Sequence, residues 1–292
     1  MSWHSREDTK KNPGQSRITL VNNSRTEYRH IVLVDPGSKP HANFKRVSSH
    51  VGGIAQVGHY LYVADSGRGL RVFDLNHIWK TDDTKQDDNY TLKNGKFHAA
   101  GYSYALPQIG SYQSPQEVKT SDSCRKDKNP HFSSVSYDEK SNQLVTGEYC
   151  NEFKNKSGEK VRHHNGRLSL WKLGTGRDRD LLGEPGKTVH PRSWYITPLD
   201  RMQGVAVHGD TALATESNGS HRRGRWVPLK LKGNGCDEHA SKDKGCVLHA
   251  GRSYKTAGAG PEDVTYVNGR YWTVTEHRKQ RWVFPNDADQ TS

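Results

Sequence analysis

The sequence predicts an all-β protein, folded as one β-propeller domain over residues 1–292 with about five blades of four-stranded antiparallel sheet. Two observations support this prediction. Apolar residues occur in short runs such as Leu61–Ala64, separated by Gly, Asn, Asp and Lys, as expected for many short strands joined by polar turns. In addition, a three-strand pattern recurs four times, which indicates a repeat architecture.

Each strand of the repeat has its own signature. The first strand carries an apolar residue after a small or polar lead-in, at Ile54, Val135, Val205 and Val264. The second strand ends on a carboxylate, at Asp65, Glu148, Glu216 and Glu276. The third strand opens near an arginine, at Arg71, Arg167, Arg225 and Arg281. A fourth, weaker strand follows, for instance Ser193–Ile196, and four-stranded units joined by uneven loops are typical of propeller blades.

A further partial unit precedes the four repeats. Two apolar runs, Arg17–Val21 and Arg29–Val34, are typical of outer strands, but no inner strand is recognisable before them. The first residues also lack the pattern of a signal peptide. We therefore expect an incomplete first blade, with the leader and the first inner strand missing from this chain.

The composition favours an acidic or polar partner without identifying it. Net charge is +12 and the isoelectric point is about 9.5, so anionic polymers are attractive partners, although a solvated basic surface has the same composition and is the favoured interpretation. We do not expect nucleic-acid binding, because the net charge is the one feature of the sequence that would indicate it. No run approaches the roughly 18 apolar residues that a membrane helix needs.

The four cysteines predict two disulfides, Cys124 with Cys150 and Cys236 with Cys246, and hence an oxidising compartment. An alternative is a zinc site, because His239 and His249 each follow a cysteine by three residues. This spacing matches no common zinc module, so the disulfides are favoured.

Several segments resemble secreted bacterial β-propeller proteins of about five blades. The resemblance covers most of the chain and is most specific in the Arg-Gly-Leu-Arg-Val-Phe-Asp-Leu run that begins at Arg68, within the segment His50 to Trp79. Tyr28 to Pro36 and Pro261 to Val264 look similar too. The resemblance implies the fold and export from the cell, and it carries over no catalytic residue.

The repeat predicts one polar face. In a propeller the first and second strands of a blade are antiparallel, so the start of one and the end of the other meet on the same side. We expect that side to form an acidic channel mouth that binds the ligand. The expected residues are Asp65, Glu148, Glu216, Glu276, His50, Ser133, Ser134, Gln203, Glu262 and Asp263.

Three roles are open for these side chains. Glu262 and Asp263 could be ligands of a calcium ion, which prefers carboxylate oxygens. The same two residues, together with His50, could instead be general acids and bases. The carboxylates shared by all four repeats are best explained as structural partners of backbone N–H groups or arginines. The departures from the repeat, chiefly His50, Gln203, Glu262 and Asp263, are therefore the first candidates for a ligand site.

Two functions are consistent with this pattern. The first is an extracellular, monomeric propeller that binds an anionic or neutral glycan, a cell-wall polymer or a protein through its loop face and acidic mouth. The alternative is a carbohydrate- or phosphoester-active lyase or hydrolase, with calcium as its conceivable cofactor. The sequence contains none of the motifs of serine hydrolases, P-loop proteins or dinucleotide-binding proteins, which makes those three functions less plausible.

Overall fold

The computed structural model describes residues 2–4, 14–22, 24–37, 43–84, 90–115, 124, 129–150, 153–154, 157, 160–161, 165–175, 180–183, 187–232, 246–277 and 281–287. Within these ranges the chain is built of strands, with a single short 3-10 helix at Leu75–His77 and no α-helix. The prediction of an all-β fold is confirmed.

The N-terminal strands are followed by a four-stranded sheet, which we call sheet 1. The N-terminal strands are β1 (Ser2–His4), β2 (Ser16–Asn22), β3 (Glu27–Asp35) and β4 (Lys45–Arg46). Sheet 1 consists of β5 (Val51–Val57), β6 (Tyr60–Asp65), β7 (Gly69–Asp74) and, after three short strands, β11 (Tyr104–Gln113). The three short strands are β8 (Trp79–Lys80), β9 (Tyr90–Lys93) and β10 (Lys96–Ala99).

Three more sheets follow along the chain. Sheet 2 contains β12 (Ser134–Asp138), β13 (Gln143–Gly147), β16 (Arg167–Lys172) and β17 (Ser193–Ile196), with β14 (Phe153–Lys154) and β15 (Lys160–Val161) paired separately. Sheet 3 contains β18 (Met202–His208), β19 (Thr211–Glu216) and β20 (Arg223–Lys230). Strand β20 pairs with β22 (His249–Ala250) and β23 (Tyr254–Ala259). Strand β21 (Cys246–Val247) pairs with β17 and so belongs to sheet 2. Sheet 4 contains β24 (Pro261–Val267), β25 (Arg270–Thr275) and β26 (Val283–Asp287).

The first strands of the four sheets form a ring. Strand β5 contacts β12, β12 contacts β18, β18 contacts β24, and β24 contacts β5. Within each sheet the following strands are antiparallel and lead outward from the ring. This radial arrangement of antiparallel sheets is propeller-like.

The hydrophobic cores lie between consecutive sheets. Tyr62 and Ala64 of sheet 1 pack with Leu144 and Trp171 of sheet 2. Sheets 2 and 3 share a core that includes Val145 and Val205, and sheets 3 and 4 share one that includes Leu213 and Tyr271. The inner strands are therefore buried on both faces, as in β13, where every residue is buried. This explains why short apolar runs suffice although only 31% of the residues are hydrophobic.

The N-terminal strands pack on the other side of sheet 1. Ile18, Ile31 and Leu33 form a core with residues of sheet 1 such as Val63 and Phe73. Strand β3 also runs parallel to the first half of β11, while the second half of β11 pairs antiparallel with β7. One strand thus joins the N-terminal strands to sheet 1.

The structure differs from the sequence analysis at two strands. A strand, β1, precedes β2 and pairs with it, where the sequence showed no recognisable strand because Ser2–His4 contains no apolar run. The third strand of the last repeat begins at Val283, two residues after Arg281, near which the pattern predicts its start. At Trp282 the main chain pairs with Thr275 through side-chain and loop hydrogen bonds before the regular ladder begins.

One predicted disulfide is confirmed directly. Cys124 and Cys150 are bonded, 26 residues apart in the chain. Cys246 is also disulfide-bonded, and Cys236, the partner expected for it, lies outside the described residues, as does His239. A cysteine in a disulfide has no thiolate to offer a metal, so the zinc alternative is not supported. None of the helical segments in the described ranges has the length and apolarity to cross a membrane.

The hairpin of sheet 4 gives a prediction about backbone conformation. Asn268 and Gly269 join β24 to β25 with φ of 50° and 81°, the left-handed region that a two-residue turn of this kind requires. We expect Gly269→Ala to lower the free energy of unfolding by about 1 kcal/mol, because alanine is strained at this φ. Urea denaturation would measure the loss.

The matched control is Gly110→Ala. At both positions an added Cβ would meet no atom within 4 Å, but Gly110 does not have a left-handed φ. A loss of the same size in both variants would contradict the conformational explanation.

Candidate ligand site at the strand ends

Three of the four repeated carboxylates are held by the arginine of the following strand. Asp65, which ends β6, accepts a hydrogen bond from Arg71 Nε at 2.8 Å. Glu216, which ends β19, pairs with Arg225. These pairs tie the end of the second strand of a sheet to the third strand, in addition to the hydrogen bonds of the ladder.

The Glu148 pair is the most buried of the three. Its carboxylate accepts from Arg167 Nε at 2.7 Å and Nη2 at 2.9 Å, a bidentate arrangement, and from the main-chain N–H groups of Arg167 and His131 at 3.1 Å. Glu148 is 1% exposed and Arg167 is 8% exposed. Because its charge and its hydrogen-bonding capacity are satisfied inside the protein, Glu148 has little left for a ligand.

Sheet 4 departs from this pattern. Arg281 donates from Nε to the main-chain carbonyl of Glu276 at 3.1 Å. The Glu276 side chain, which is 40% exposed, is hydrogen-bonded to the side chain of Glu262. Two carboxyl groups therefore meet at the position where the other sheets have a carboxylate and an arginine.

Burial of Glu262 raises its pKa well above the ordinary range, and the nearby charges of Glu276 and Asp263 raise it further. The raised pKa favours the protonated form of Glu262, which can donate to the Glu276 carboxylate. The hydrogen bond between two carboxyl groups is consistent with this assignment, since it requires one proton between them. Glu262 nevertheless keeps partial contact with solvent.

A β-bulge presents Glu262 at this position. In three of the four ring strands the pairing with the second strand shifts by one residue close to the strand entrance, between Val51 and Gly53, between Met202 and Gly204, and between Pro261 and Val264. Such a shift re-aims the side chains of the bulge. The residues placed there include Gln203 in sheet 3 and both Glu262 and Asp263 in sheet 4.

The main chain at Glu262 is fixed from two sheets. Its carbonyl oxygen accepts from Thr215 Oγ1 of sheet 3 at 2.9 Å and from Thr273 Oγ1 of its own sheet at 3.1 Å. An added Cβ on Gly204 would lie 2.6 Å from the same carbonyl oxygen, so only glycine permits this approach of the two strands. The Glu262 side chain is thus presented from a rigid backbone.

Asp263 points toward the ring of first strands. Its Oδ2 accepts from the Ile54 N–H at 2.8 Å, and an added Cβ on Gly53 would lie 2.4 Å from its carboxyl carbon. Burial raises the pKa of Asp263 to about 8, and the N–H groups of Ile54, Val264 and Val135 offset this only in part. Asp263 therefore serves the packing of three ring strands more than the solvent-facing site.

The carboxyl pair has neighbours from sheets 2 and 3. Tyr149, which follows Glu148, is half-buried; burial raises the pKa of its phenol, and among its electrostatic partners are Arg201, Asp200 and both carboxyls of the pair. The ion pair of Arg201 and Asp200 has a separation of 3.7 Å. We call Glu262, Glu276 and Tyr149 together the carboxyl site.

Sequence reasoning missed Tyr149, Asp200 and Arg201. Tyr149 is not part of the repeat pattern, which at this point is defined by the neighbouring Glu148. Asp200 and Arg201 lie in the polar lead-in to β18, where the repeat is defined only by the apolar residue Val205 that follows. Neither position has a motif of its own that would have indicated a site.

The remaining predicted residues are placed separately. His50 immediately precedes β5 and is exposed, and its main-chain carbonyl accepts from the N–H and Oγ of Ser66. Ser134 is fully buried at the start of β12, and its Oγ has no hydrogen-bond partner among the described residues. Ser133 Oγ accepts from the Tyr149 N–H at 3.0 Å, and so positions the backbone of the carboxyl site. Gln203 is half-buried in its bulge.

The predicted calcium ligands Glu262 and Asp263 lie side by side in the bulge of β24, and Asp263 Oδ2 accepts from the Ile54 N–H at 2.8 Å. A calcium site at these two residues stays a prediction. The group of three metal-ligating side chains found in the described part of the chain is Cys124, Glu148 and Cys150, and its two cysteines form the disulfide.

No protein-family model matches the chain. No curated protein matches it either. Three solved structures are similar at low identity. A PQQ-bound aldose sugar dehydrogenase from Streptomyces coelicolor is 13% identical with a TM-score of 0.39, over 93% of this chain and 72% of that one. A chain of a mitotic checkpoint complex is 8% identical with a TM-score of 0.38, over 94% and 69%. The computationally designed Ika4 protein is 10% identical with a TM-score of 0.29, over 85% and 99%. At such identities and TM-scores, none of these likenesses supports a conclusion about the activity of this chain.

Proposed function

We propose that the chain is a secreted β-propeller of five blades that binds a hydroxyl-rich ligand, a glycan or cell-wall polymer, at the carboxyl site. The N-terminal strands would be the fifth blade. Their core with sheet 1 repeats the way in which sheets 1 to 4 pack on one another, which supports this count. The disulfide between Cys124 and Cys150 supports an oxidising, extracellular location.

The contact between the carboxyl groups of Glu262 and Glu276 is the observation that carries the proposal. A carboxyl pair that shares one proton has a single negative charge, and because the proton lies between the two groups the pair offers acceptors to a ligand. Tyr149 and Arg201 add donors close by. A sugar, whose neighbouring hydroxyls each donate and accept, is complementary to such a set of groups.

A specific observation also favours acid-base chemistry as a second candidate. Two adjacent carboxyl groups that share one proton are the acid and base of some hydrolases, and burial raises the pKa of Glu262 here. Here Glu262 would be the proton donor and Glu276 the base. Binding and catalysis therefore use the same residues, and they differ in whether the proton must leave Glu262.

Substitutions at the carboxyl site separate binding from catalysis. Binding of neutral and anionic glycans and of cell-wall polymers would be measured calorimetrically for the parent, Glu262→Gln, Glu262→Ala and Glu276→Ala. We expect both alanine variants to weaken binding by about tenfold or more, because a buried hydrogen-bond partner is lost. We expect Glu262→Gln to bind like the parent, because its amide still donates to Glu276.

Raising the pH gives a second readout. Loss of the Glu262 proton would leave two repelling carboxylates, so binding to the parent should fall as the pH rises, whereas binding to Glu262→Gln should not. Glu139→Gln, at an exposed position, is the matched control. Absence of glycan binding at low salt, or unchanged binding in both alanine variants, would refute the proposal. Turnover of a glycan by the parent that is lost in Glu262→Gln would establish the catalytic candidate instead.

A further inference from the structure

We propose a second binding site, for an aromatic compound that carries a hydrogen-bond acceptor, in a cavity between sheets 1 and 2. The cavity has a volume of about 770 Å³, which is in the range of cavities that hold small organic ligands. Sheet 1 contributes residues of β6, β7 and β11 to its lining, and sheet 2 contributes Trp171 of β16. Residues 181–182 and 187–191, between β16 and β17, complete the described lining. We call it the inter-sheet cavity.

The inner wall of the inter-sheet cavity is apolar and aromatic. Leu70, Val72, Phe132 and Trp171 belong both to this wall and to the hydrophobic core that sheets 1 and 2 share. The rings of Phe132 and Trp171 have their centroids 5.9 Å apart. Trp171 Nε1 donates to Thr146 Oγ1 at 2.9 Å, so the polar atom of this ring already has a partner. The inner wall therefore offers a ligand ring surface that is free of unpaired polar groups.

A β-bulge in β11 leaves apolar surface exposed at the edge of the inter-sheet cavity. The pairing of β11 with β7 shifts between Gln108 and Gly110. Ile109 lies in this bulge, lines the cavity and is 51% exposed. Gly110 also lines the cavity, and an added Cβ there would meet no atom within 4 Å. This wall thus combines open space with an apolar side chain that a ligand can cover.

Two tyrosine hydroxyls of the lining have unused donors. Tyr112 accepts from the Leu182 N–H at 3.2 Å, and its own O–H donates to no group in the described part of the chain. The Tyr60 side chain makes no hydrogen bond with the residues that the structure describes. Tyr62 beside them differs, since its hydroxyl donates to the Asp180 carbonyl at 2.7 Å.

The two hydroxyls lie close enough to influence each other. Tyr60 and Tyr112 are both half-buried. Burial raises the pKa of the Tyr112 phenol, the Leu182 N–H offsets this in part, and the nearby Tyr60 phenol raises it again. Tyr112 therefore keeps its proton at neutral pH and remains a donor.

The chemistry of the occupant follows from these two sets of groups. An aromatic ring can pack against Phe132 and Trp171, and an oxygen attached to that ring can accept from Tyr60 or Tyr112. A ligand in the cavity displaces water from the two hydroxyls. A ligand without an acceptor would leave them unpaired, which weakens its binding.

This site goes beyond the proposed function and uses none of the residues of the carboxyl site. Its failure would leave the role of Glu262 and Glu276 as it stands, and loss of glycan binding there would not affect the inter-sheet cavity. Separate variants therefore report on each site.

Binding of three compounds to the full chain would be measured by ligand-detected NMR. Acetophenone has an aromatic ring and a carbonyl, ethylbenzene has the same ring without the carbonyl, and cyclohexyl methyl ketone has the carbonyl without an aromatic ring. The variants are Tyr60→Phe and Tyr112→Phe. The matched control is Tyr28→Phe, which removes a hydroxyl from an exposed side chain of β3 outside the described lining. Thermal unfolding of each variant verifies that it is folded.

We expect acetophenone to bind the parent about fivefold more tightly than either of the other two compounds does. At least one of Tyr60→Phe and Tyr112→Phe should weaken acetophenone binding by about fivefold and leave ethylbenzene binding unchanged. Tyr28→Phe should bind all three compounds like the parent. Absence of acetophenone binding to the parent, equally tight binding of ethylbenzene or of the cyclohexyl ketone, or unchanged acetophenone binding in both cavity variants would overturn the proposal.

Discussion

Glu148→Ala is expected to lower the free energy of unfolding by about 3–5 kcal/mol. The substitution leaves the Arg167 guanidinium buried without its counter-charge, and it also removes the acceptor of two main-chain N–H groups. Breaking one side of a buried pair has a far larger effect than the pair contributes as a whole. Urea denaturation of the oxidised protein at neutral pH measures the change.

The repeat supplies a matched control at Glu216. Glu216→Ala removes the corresponding carboxylate from sheet 3, but the Arg225 side chain is 50% exposed and water can solvate it. We expect a loss of about 1 kcal/mol there. A double variant, Glu148→Leu with Arg167→Met, should recover most of the loss, because no buried charge remains. Equal losses in the two single variants would show that burial does not decide the strength of these pairs.

Asp263→Asn is expected to stabilise the protein at alkaline pH by at least about 2 kcal/mol. The parent must ionise or keep protonated a carboxyl inside the ring of first strands, and an amide avoids this penalty. The Asn side-chain oxygen can still accept from the Ile54 N–H, as Asp263 does at 2.8 Å. The packing against Gly53 is also preserved, since the two side chains are nearly equal in size.

The sign of the pH dependence follows from the direction of the shift. The pKa of Asp263 is about 8 in the folded protein against 3.8 for the ordinary side chain. Between these values the folded state holds a proton that the unfolded state has lost, so stability is greatest below about pH 4 and decreases as the pH rises toward 8. Above pH 8 this contribution is constant.

Unfolding by urea across pH 4 to 9 tests this prediction. Asp263→Asn should flatten the decrease, although part of it should remain because the pKa of Glu262 is raised as well. The control is Asp210→Asn, whose side chain is 64% exposed and paired with Lys232 at the surface. If the slope of the Asp263→Asn variant equals that of the parent, Asp263 is ionised in the folded protein and its assignment here is wrong.

The strands of the repeat could be predicted because each has a local signature. The second strands end within one residue of the acids that marked them, and the fourth strand of sheet 2 was predicted with its observed bounds, Ser193–Ile196. The local pattern could not reveal β1 or the parallel pairing of β3 with β11, because both depend on contacts between distant segments. Pairing of Cys124 with Cys150 was predicted as the simplest of the three connectivities that four cysteines allow, and the structure confirms it.

The candidate site could be predicted only in part. The repeat identified Glu262 and Glu276 as acids on one face, since antiparallel strands bring those positions together. It could not show that Glu276 pairs with another acid while the other three carboxylates are held by arginines or backbone N–H groups. That outcome depends on the position of the Arg281 side chain, whose Nε donates to the main-chain carbonyl of Glu276.

The one-residue bulges at the entrances of β5, β18 and β24 have a consequence for how such a protein can diversify. Elsewhere in the ring strands, buried side chains such as Val135, Val205 and Val264 pack in the inter-sheet cores, and a replacement there disturbs two neighbouring sheets. A residue in a bulge lies outside the regular alternation of side chains along its strand, so its side chain need not enter a core. Related chains could therefore exchange Gln203 or Glu262 one at a time and acquire a new ligand preference while the frame around them stays constant. Gly52 is not open to such exchange, because an added Cβ would lie 2.1 Å from the main-chain oxygen of Ser133.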